Sequence, residues 1–304
     1  MSRVPRGPAL TGSSTPFDTL ATMASAPASA VQRIQIIEPS RGLRSLGLAE
    51  LWGHRELLWA FTKRNVLVRY KQTLLGVGWA VLQPFFLMVF FTLFLHRLGN
   101  ASSGAIPYPI YTYAGLLPWM FFANSLMQSS QSLVGNANLL RKIYLPRVIL
   151  PLSTVLTSLV DFAVASSLLG GMMVYYGVYP EALRLLVLPA LLLLAVATAL
   201  GVGLWSSAVN VRYRDVQYVI PFLTQMWLFA TPAIYVSRTF DEPWNTLLGL
   251  NPMQGVVSGF RWALLSEGPS PGWTVATAAG IALLLVASGL VYFKRTERTF
   301  ADVV

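Results

Sequence analysis

Long apolar stretches separated by short polar segments are the main pattern along this chain of 304 residues. An α-helix rises about 1.5 Å per residue, so a helix that crosses the hydrocarbon core of a bilayer needs about 20 mostly apolar residues. Six stretches reach that length, at residues 74–95, 107–127, 149–176, 185–209, 216–236 and 273–293. The pattern therefore predicts an all-α membrane protein with six transmembrane helices.

The second stretch, at residues 107–127, is the least regular of the six. Pro107, Pro109, Gly115 and Pro118 interrupt it, and Ser, Gln and Asn crowd its C-terminal side. Such breaks are tolerated at membrane depth where protein or a water-filled cavity surrounds the backbone. The sequence is compatible with a span here under that condition.

Before the first stretch, residues 48–66 show the spacing of an amphipathic helix. Its apolar residues fall near one face, whereas most of its charged residues fall elsewhere. The apolar face holds Leu48, Leu51, Trp52, Leu58, Trp59 and Phe61. Because Trp rings suit the headgroup level, the pattern predicts an N-terminal helix in the membrane interface. A cytosolic helix packed on a partner is the alternative.

The composition agrees with a membrane protein and excludes several kinds of site. Hydrophobic residues make up 55% of the chain and charged residues 11%, which is unusual for a soluble domain of this length. The chain lacks cysteine, which excludes disulfides, thiolate metal sites and a cysteine nucleophile. With only His54 and His96 available, a histidine-based metal centre is not expected either. Residues 1–49 are rich in Pro, Ala, Ser and Gly and predict a disordered tail.

The net charge of +10 at pH 7 is concentrated between the apolar stretches. That distribution favours anionic lipid headgroups over nucleic acid as the partner of these cations. Eighteen of the 22 Lys and Arg residues fall in alternate segments, beginning with the segment before the first stretch. The positive-inside rule then places both termini in the cytoplasm, including the C-terminal tail at 296–304. An even number of spans agrees with this arrangement, because it places both termini on the same side of the membrane.

Four cations directly precede the first stretch: Lys63, Arg64, Arg69 and Lys71. A juxtamembrane cation contributes about 1 kcal/mol to binding an anionic leaflet, so anchoring of the topology is one interpretation. The functional interpretation is that these cations gather a lipid-linked anion at a cytoplasmic entrance. Within the adjoining stretch, Pro84 removes a helical N–H bond and predicts a bend.

Four blocks of sequence, taken together, carry a family resemblance. The first two are LLWAFTKRNVLVRYKQTLLGVGWAVLQP and, at 136–162, NANLLRKIYLPRVILPLSTVLTSLVDF. The others are NVRYRDVQYVIPFLTQMWLFATPAIY at 210–235 and NPMQGVVSGFRWALL at 251–265. In this order they resemble the ABC-2 type permeases that export polysaccharides such as O-antigen, capsule and teichoic acid. The resemblance covers about residues 50–295 and implies one transmembrane domain there.

The resemblance implies a homodimeric permease that works with two copies of a separate ABC ATPase. ATP and Mg²⁺ are expected on that partner, because this chain lacks the G-x-x-x-x-G-K-[ST] loop that cradles ATP phosphates. The chain itself is expected to bind no cofactor and to be a transport subunit rather than an enzyme. The implied ATPase contacts are a short helix between the second and third spans and a loop between the fourth and fifth. They comprise Asn136, Asn138, Leu139, Leu140, Arg141, Lys142, Ile143 and Tyr144 in the helix, and Arg212, Arg214 and Asp215 in the loop.

The resemblance also implies a path for a glycan and an exit on the outer side. Residues 241–271 are too broken by Pro, Gly and Asn to span, and they resemble an extracytoplasmic re-entrant helical pair before the last span. A helix lying on the surface is the alternative. Because aromatic faces stack on sugar C–H surfaces, some aromatic residues are expected to line the path. The channel or gate candidates are Gln83, Pro84, Tyr108, Tyr111, Trp119, Gln225, Asn251 and Pro252.

Asp161 is the only acid within a predicted span. An ionised carboxylate that faces lipid is costly, so Asp161 is expected to face the bundle, a cavity or a cation near the membrane surface. A hydrogen-bonded structural acid is the preferred interpretation. Proton coupling is the alternative, although no intramembrane base lies near this acid in the sequence.

Taken together with these features, the resemblance implies a permease subunit that moves an undecaprenyl-type lipid-linked polysaccharide across the bacterial inner membrane. An ABC-2 exporter of a drug or lipid would share the topology but would need no wide aromatic channel. A membrane-embedded transferase is the alternative from another class. It would need clustered acids, His or a nucleophile at a membrane surface, and only Asp241 and Glu242 come close.

Overall fold

A computed structural model describes residues 52–71, 73, 75–98, 106–142, 145–235, 244–266, 270, 272–297 and 300. Within these ranges the regular structure is helical and contains no strand. The all-α fold predicted from the spacing of apolar residues is therefore confirmed for this part of the chain. The tail predicted at 1–49 and most of the tail at 296–304 lie outside the described residues.

The described part of the chain forms eleven α-helices. In order, they are α1 (Arg55–Lys71), α2 (Gly78–Phe91), α3 (Tyr108–Gly135), α4 (Ala137–Lys142), α5 (Ile149–Tyr176), α6 (Ala182–Leu185), α7 (Leu188–Arg212), α8 (Val216–Phe229), α9 (Trp244–Gly249), α10 (Pro252–Leu265) and α11 (Gly272–Glu297). A π-helical segment, Thr92–Leu98, continues α2. The helix α2 itself runs through Pro84.

Four helical segments among the described residues are long and apolar enough to cross a membrane. They are Gly78–Leu95, Ile149–Tyr176, Ala182–Arg212 and Gly272–Glu297. The helix α3 has 28 residues, but its Ser, Gln, Asn and Pro residues make it less apolar. The helix α8 is apolar but has 14 residues. It ends before the turn that contains Pro232, since the residue preceding a proline is disfavoured in an α-helix. The count of six spans stays a prediction that depends on α3 and α8.

The helix α3 lies at the centre of the bundle. Most of its residues are buried, and it packs against α2, α5, α7, α8 and α10. Several of its polar side chains find partners within the protein: for example, the hydroxyl groups of Ser130 and Ser132 donate to backbone carbonyl oxygens one turn earlier. The irregular second stretch is therefore surrounded by protein, which is the condition under which its backbone breaks are tolerated.

The helices α7 and α11 approach closely because glycines face each other. A Cβ atom on Gly201 would lie 2.8 Å from the backbone carbon of Leu285, and one on Gly289 would lie 2.7 Å from the carbonyl oxygen of Gly201. Small residues at such contacts let helix backbones meet in membranes, where burial of apolar side chains adds little. These glycines fix the spacing of the two helices.

The helix α1 packs on α5 by one side of its apolar face. Phe61 is buried in a cluster with Leu133 and Ile149, whereas the side chains of Trp52 and Trp59 are 73% and 68% exposed. The predicted apolar face is thus divided between a contact with the bundle and two exposed indole rings. Rings in this arrangement suit the headgroup level of a bilayer.

The short helices α9 and α10 are joined at Leu250 and Asn251. Pro252 occupies the first turn of α10, where its missing N–H group is not needed. Most residues of α10 are buried, and the helix packs against α3, α7 and α11. It is therefore not a helix lying on the protein surface. Its re-entry into the membrane stays a prediction.

Candidate functional site

A polar cluster lies where the end of α1 meets α3 and α5. The guanidinium of Arg69 donates to the carboxylate of Asp161 and to the amide oxygen of Gln128. The hydroxyl of Tyr70 donates to the second carboxylate oxygen of Asp161. The single acid of the predicted spans is therefore paired with a cation, one of the environments expected for it.

The charges in this cluster are partly shielded from water. The exposed fraction of the side chain is 29% for Arg69 and 13% for Asp161. Burial lowers the pKa of Arg69, but an arginine starts so high that the group stays charged. Burial raises the pKa of Tyr70, an effect that the nearby Arg69 partly offsets, so this phenol keeps its proton at neutral pH. Tyr70 is accordingly a donor to Asp161.

Gln128 is oriented by its own helix and by α5. Its amide nitrogen lies 3.1 Å from the carbonyl oxygen of Asn124 and 3.2 Å from the hydroxyl oxygen of Ser158. Because the amide nitrogen donates to these two groups, the amide oxygen is left to accept from Arg69. Asn124 lies one helical turn before Gln128 and Ser158 lies on the neighbouring helix α5, so both helices fix the orientation of the amide.

The polar cluster lines a cavity of about 250 Å³ between α1, α2, α3 and α5. Apolar side chains from the bundle line the same cavity: Leu117, Met120, Phe121, Phe162 and Ala165. From α2 come Trp79, Ala80 and two of the predicted channel residues, Gln83 and Pro84. The volume lies below the range of about 300–1,000 Å³ usual for drug-sized ligands. The cavity is therefore small, and its lining combines an ion pair with apolar side chains.

The other three predicted entrance cations lie outside this cavity. Lys63 and Lys71 are exposed on α1. Arg64 reaches the start of α4, where its guanidinium donates to the side-chain oxygen of Asn136 over 2.8 Å. The structure thus separates the four cations: Arg69 faces the cavity, and Arg64 contacts the segment predicted to bind an ATPase.

That segment begins at Asn136, which ends α3 and accepts backbone N–H groups from the first turn of α4. Leu139 and Leu140 are partly buried against the protein's own core. The exposed side chains of α4 are polar: Asn138, Arg141 and Lys142. Ile143 and Tyr144 lie outside the described residues. The surface offered by α4 is therefore polar and basic rather than apolar, and its contact with an ATPase stays a prediction.

The second predicted contact, at the end of α7, is also exposed. Arg212 is the last residue of α7, and Arg214 and Asp215 lie between α7 and α8. The Arg212 guanidinium lies 5.6 Å from the ring centre of Tyr213. The preceding turn is tied to α3, since the amide of Asn210 donates to the carbonyl oxygen of Ser130 over 2.8 Å. This loop is thus connected to the end of α3 that leads into α4.

The predicted aromatic channel residues lie in the core. The Tyr108 hydroxyl donates to the carbonyl oxygen of Ile234 over 2.7 Å. Trp119 packs with Phe122 and Trp227, whose ring centres lie 5.5 and 6.5 Å from it. Gln225 is exposed on α8. The lining of the cavity described above contains Gln83 and Pro84 but not Tyr108, Trp119 or Gln225, so a shared channel for these residues stays a prediction.

Asn251 joins the end of α8 to the start of α10. Its side-chain oxygen accepts from the backbone N–H of Met253 and from the indole of Trp227, each over 3.0 Å. Its amide nitrogen donates to the carbonyl oxygen of Ala230 and the hydroxyl of Thr231. Asn251 therefore caps α10 and at the same time satisfies the carbonyl oxygen of Ala230, just after the end of α8.

Sequence reasoning missed Arg261, which is 3% exposed in α10. Its guanidinium donates to the carbonyl oxygens of Pro232 and Ala233 over 2.5 and 2.6 Å, and to both oxygens of Tyr111. It also lies 3.8 Å from the centre of the Tyr111 ring. The signal was present, because Arg261 is the only charge between residues 244 and 265. The positive-inside rule assigns this residue to the loop between the fifth and sixth stretches, together with Arg238.

Comparisons with known proteins place these features in a family. Residues 56–265 match the ABC-2 type transporter family. The O-antigen export system permease protein RfbA of Myxococcus xanthus is 30% identical over 258 residues, which are 83% of this chain and 97% of that protein. An RfbA protein of Klebsiella pneumoniae is 26% identical over 82% of this chain and 95% of that protein. The polysialic acid transport protein KpsM of Escherichia coli is 24% identical over 77% of this chain and 91% of that protein.

The family match spans more than half of the chain and contains the whole polar cluster and its cavity. The apolar helices agree with a protein that crosses the membrane several times. The resemblance found in the four sequence blocks is confirmed, and this chain belongs to the ABC-2 type transporter family of membrane proteins.

Proposed function

We propose that this chain is the permease subunit of an ATP-driven exporter that moves a lipid-linked polysaccharide across the bacterial inner membrane. The polysaccharide is of the O-antigen, capsule or teichoic acid type. The likeness to an O-antigen export permease over almost the whole of that protein carries the proposal. The cavity at the basic-to-apolar junction supports it, since one cation and several apolar side chains share its lining.

The proposed topology has six spans with both termini in the cytoplasm. The helices α3 and α8 supply the second and fifth spans, which are shielded or completed by their neighbours. The pair α9 and α10 re-enters the membrane from the outer side. Burial of α10 among α3, α7 and α11 supports this arrangement, because irregular backbone at membrane depth requires protein around it.

The proposed working unit contains two copies of this chain and two copies of an ABC ATPase. The ATPase binds ATP and Mg²⁺ and contacts α4 and the loop at 212–215. The exposed cations of these two segments support a polar contact with such a partner. The bond between Arg64 and Asn136 supports a mechanical connection from that contact to the interface helix α1.

The proposed substrate is a glycan joined through pyrophosphate to an undecaprenyl-type lipid. Arg69 contacts the pyrophosphate, while the exposed Lys63 and Lys71 raise the local concentration of anionic headgroups. The apolar part of the cavity receives the first units of the isoprenyl chain or the apolar face of the first sugar. Movement of the glycan then follows conformational changes driven by the partner.

Coupling to an ATPase is tested with the two proteins purified together. The tagged chain is isolated from native membranes with the ATPase that accompanies it, and both are reconstituted in nanodiscs. We expect the ATPase to hydrolyse ATP faster with the permease than alone, and faster again when lipid-linked glycan is added. An ATPase rate that the permease leaves unchanged would contradict the coupled-permease proposal.

The substrate class is tested in a strain that lacks this chain. We expect lipid-linked glycan to accumulate on the cytoplasmic side and the surface polysaccharide to disappear, with both restored by a plasmid copy. A deletion strain with normal surface polysaccharide would sink the substrate assignment, and the ATPase experiment would still report on coupling.

A further inference from the structure

Arg69 is not a bare cation, although it faces the cavity. Asp161 neutralises it from α5, and Gln128 accepts from it on α3. A bare arginine at the level of lipid headgroups would attract the phosphate of any anionic phospholipid, and such lipids are abundant in the leaflet. The carboxylate of Asp161 therefore competes with every anion that reaches the cavity for binding to the guanidinium of Arg69.

The competition depends on charge. A phosphodiester headgroup carries one negative charge, so it can only exchange one charge for another at Arg69, and it leaves the carboxylate of Asp161 without its cation. A pyrophosphate diester carries one negative charge on each of its two phosphate groups and attracts the guanidinium more strongly than a phosphodiester does. The Arg69–Asp161 pair therefore disfavours binding of the abundant monoanionic phospholipids and permits binding of the scarcer pyrophosphate dianion.

The rest of the cluster makes such an exchange feasible. Tyr70 donates to one carboxylate oxygen of Asp161 while Arg69 holds the other, so the acid keeps a partner after Arg69 turns away. Gln128 is fixed by Asn124 and Ser158 and keeps the guanidinium at the cavity wall. A partly buried carboxylate without any partner would be costly, and Tyr70 avoids that cost.

We propose that Asp161 is a specificity-determining residue that, as the counter-ion of Arg69, excludes monoanionic phospholipid headgroups from the cavity and admits a pyrophosphate. This inference rests on the proposed function, because it assumes a pyrophosphate-linked substrate. It assigns the acid a role in selection rather than in proton transfer. It also makes Tyr70 a positioning residue, which acts through Asp161.

The test measures competition between lipids in the intact permease and ATPase complex. The complex is placed in phosphatidylcholine nanodiscs with a photoreactive isoprenyl pyrophosphate that carries one glucose residue. Phosphatidylglycerol then replaces phosphatidylcholine in steps, and crosslinking of the probe to the permease is quantified. We expect the wild-type complex to retain its labelling as phosphatidylglycerol increases.

The main variant is Asp161→Asn, which keeps the volume and an oxygen for Tyr70. We expect this variant to be labelled in pure phosphatidylcholine. It should lose labelling at a phosphatidylglycerol fraction about tenfold lower than the wild type does, a factor of the order expected for removing one charge–charge interaction near a protein surface. Asp161→Glu should restore resistance, and Ser167→Ala, an exposed position on α5, should behave as wild type. Unchanged competition in Asp161→Asn would overturn the inference.

A second pair of variants covers the case in which Asp161→Asn fails to assemble. Tyr70→Phe retains the ion pair and should lower labelling several-fold in pure phosphatidylcholine, because the displaced acid has no partner. Adding Asp161→Asn to Tyr70→Phe should restore the labelling. Wild-type labelling in Tyr70→Phe would contradict the exchange.

The variant Arg69→Gln separates this inference from the proposed function. We expect it to lose labelling by the pyrophosphate probe at every lipid composition. Labelling of Arg69→Gln at the wild-type level would contradict the proposed pyrophosphate site itself. Loss of labelling in Arg69→Gln together with wild-type lipid competition in Asp161→Asn would contradict only the proposed role of Asp161 as a selective counter-ion.

Discussion

At the scale of single residues, Arg261 combines the greatest burial with the largest set of partners among the charged side chains described. It binds carbonyl oxygens at 232, 233 and 235, just after α8, as well as Tyr111 at the start of α3. These carbonyl groups lie beyond Phe229, the last residue of α8, in a turn that follows the helix. A guanidinium satisfies them with its planar set of donors.

We predict that Arg261→Met destabilises the protein by about 3 kcal/mol or more, because several buried carbonyl groups lose their donor at once. Thermal unfolding of the purified protein in detergent measures the effect. Arg261→Lys should lie between the wild type and Arg261→Met, since an ammonium keeps the charge but not the planar fork. Arg212→Met at an exposed position is the matched control, and equal losses in the two Met variants would contradict the role of Arg261.

Asn251 supports a second prediction at this scale. Asn251→Ala removes both the cap of α10 and the link to α8, with an expected loss of about 1–3 kcal/mol. Asn251→Asp keeps the acceptor for Met253 and Trp227 but loses the donor to Ala230, so its loss should be smaller. The two midpoints of thermal unfolding are compared directly. A loss in Asn251→Asp as large as that in Asn251→Ala would assign the effect to the lost donor alone.

Sequence reasoning reached some of these residues but not their partners. Asp161 was expected to face a protein group, because a charge in lipid is costly, and the structure supplies Arg69. That partner lies 92 positions earlier, on another helix, which periodicity does not reveal. Arg261 was missed for the same reason. A count of loop charges treats every cation as exposed, whereas the carbonyl partners that bury Arg261 come from distant segments of the chain.

At the scale of helices, the contact between α7 and α11 depends on its glycines. We predict that Gly289→Val destabilises the protein by about 1–3 kcal/mol, because the added side chain meets the backbone of Gly201. Gly280→Val on the same helix is the control, since a Cβ at Gly280 meets no atom within 4 Å. Thermal unfolding of both variants gives the comparison. Similar unfolding midpoints for the two variants would show that the close contact between α7 and α11 does not determine stability at Gly289.

The bond between α1 and the start of α4 leads to a prediction about function. We expect Arg64→Gln and Asn136→Ala each to lower glycan export per ATP hydrolysed. Arg64→Gln, at an exposed position, should change stability by less than about 0.5 kcal/mol, whereas Asn136→Ala also loses a bond to the carbonyl oxygen of Ser132. The double variant should be no worse than either single variant, because all three lack the same bond. Additive losses would mean that the two residues act separately.

Helix positions were easier to predict than helix ends. The apolar stretch at 149–176 coincides with α5 (Ile149–Tyr176), because burial and hydropathy act together there. The stretch at 216–236 was predicted as one helix, but α8 ends at Phe229. The apolar residues that follow are buried in a turn held by Arg261 and Asn251. Hydropathy reports burial in an apolar environment, but not whether the buried backbone is helical.

At the scale of the whole molecule, the absence of cysteine makes the topology directly measurable. We predict that a cysteine at Leu183, which is 78% exposed between α5 and α7, reacts from the outer side with a maleimide that does not cross the inner membrane. A cysteine at Lys142 should react only after that membrane is permeabilised. The wild-type chain, which has no thiol, is the control for background labelling. The opposite pattern would reverse the proposed orientation.

The carbonyl contacts of Arg261 have a consequence for biosynthesis. The partners of this residue lie at 111 and 232–235, so the turn after α8 cannot reach its final form until the ribosome has produced residue 261. Nascent chains arrested shortly before that point should be inserted in the membrane and yet remain sensitive to proteases near residue 230. Chains arrested after α10 has left the ribosome should become resistant. Completion of the bundle would then be a late event of translation, governed by one side chain.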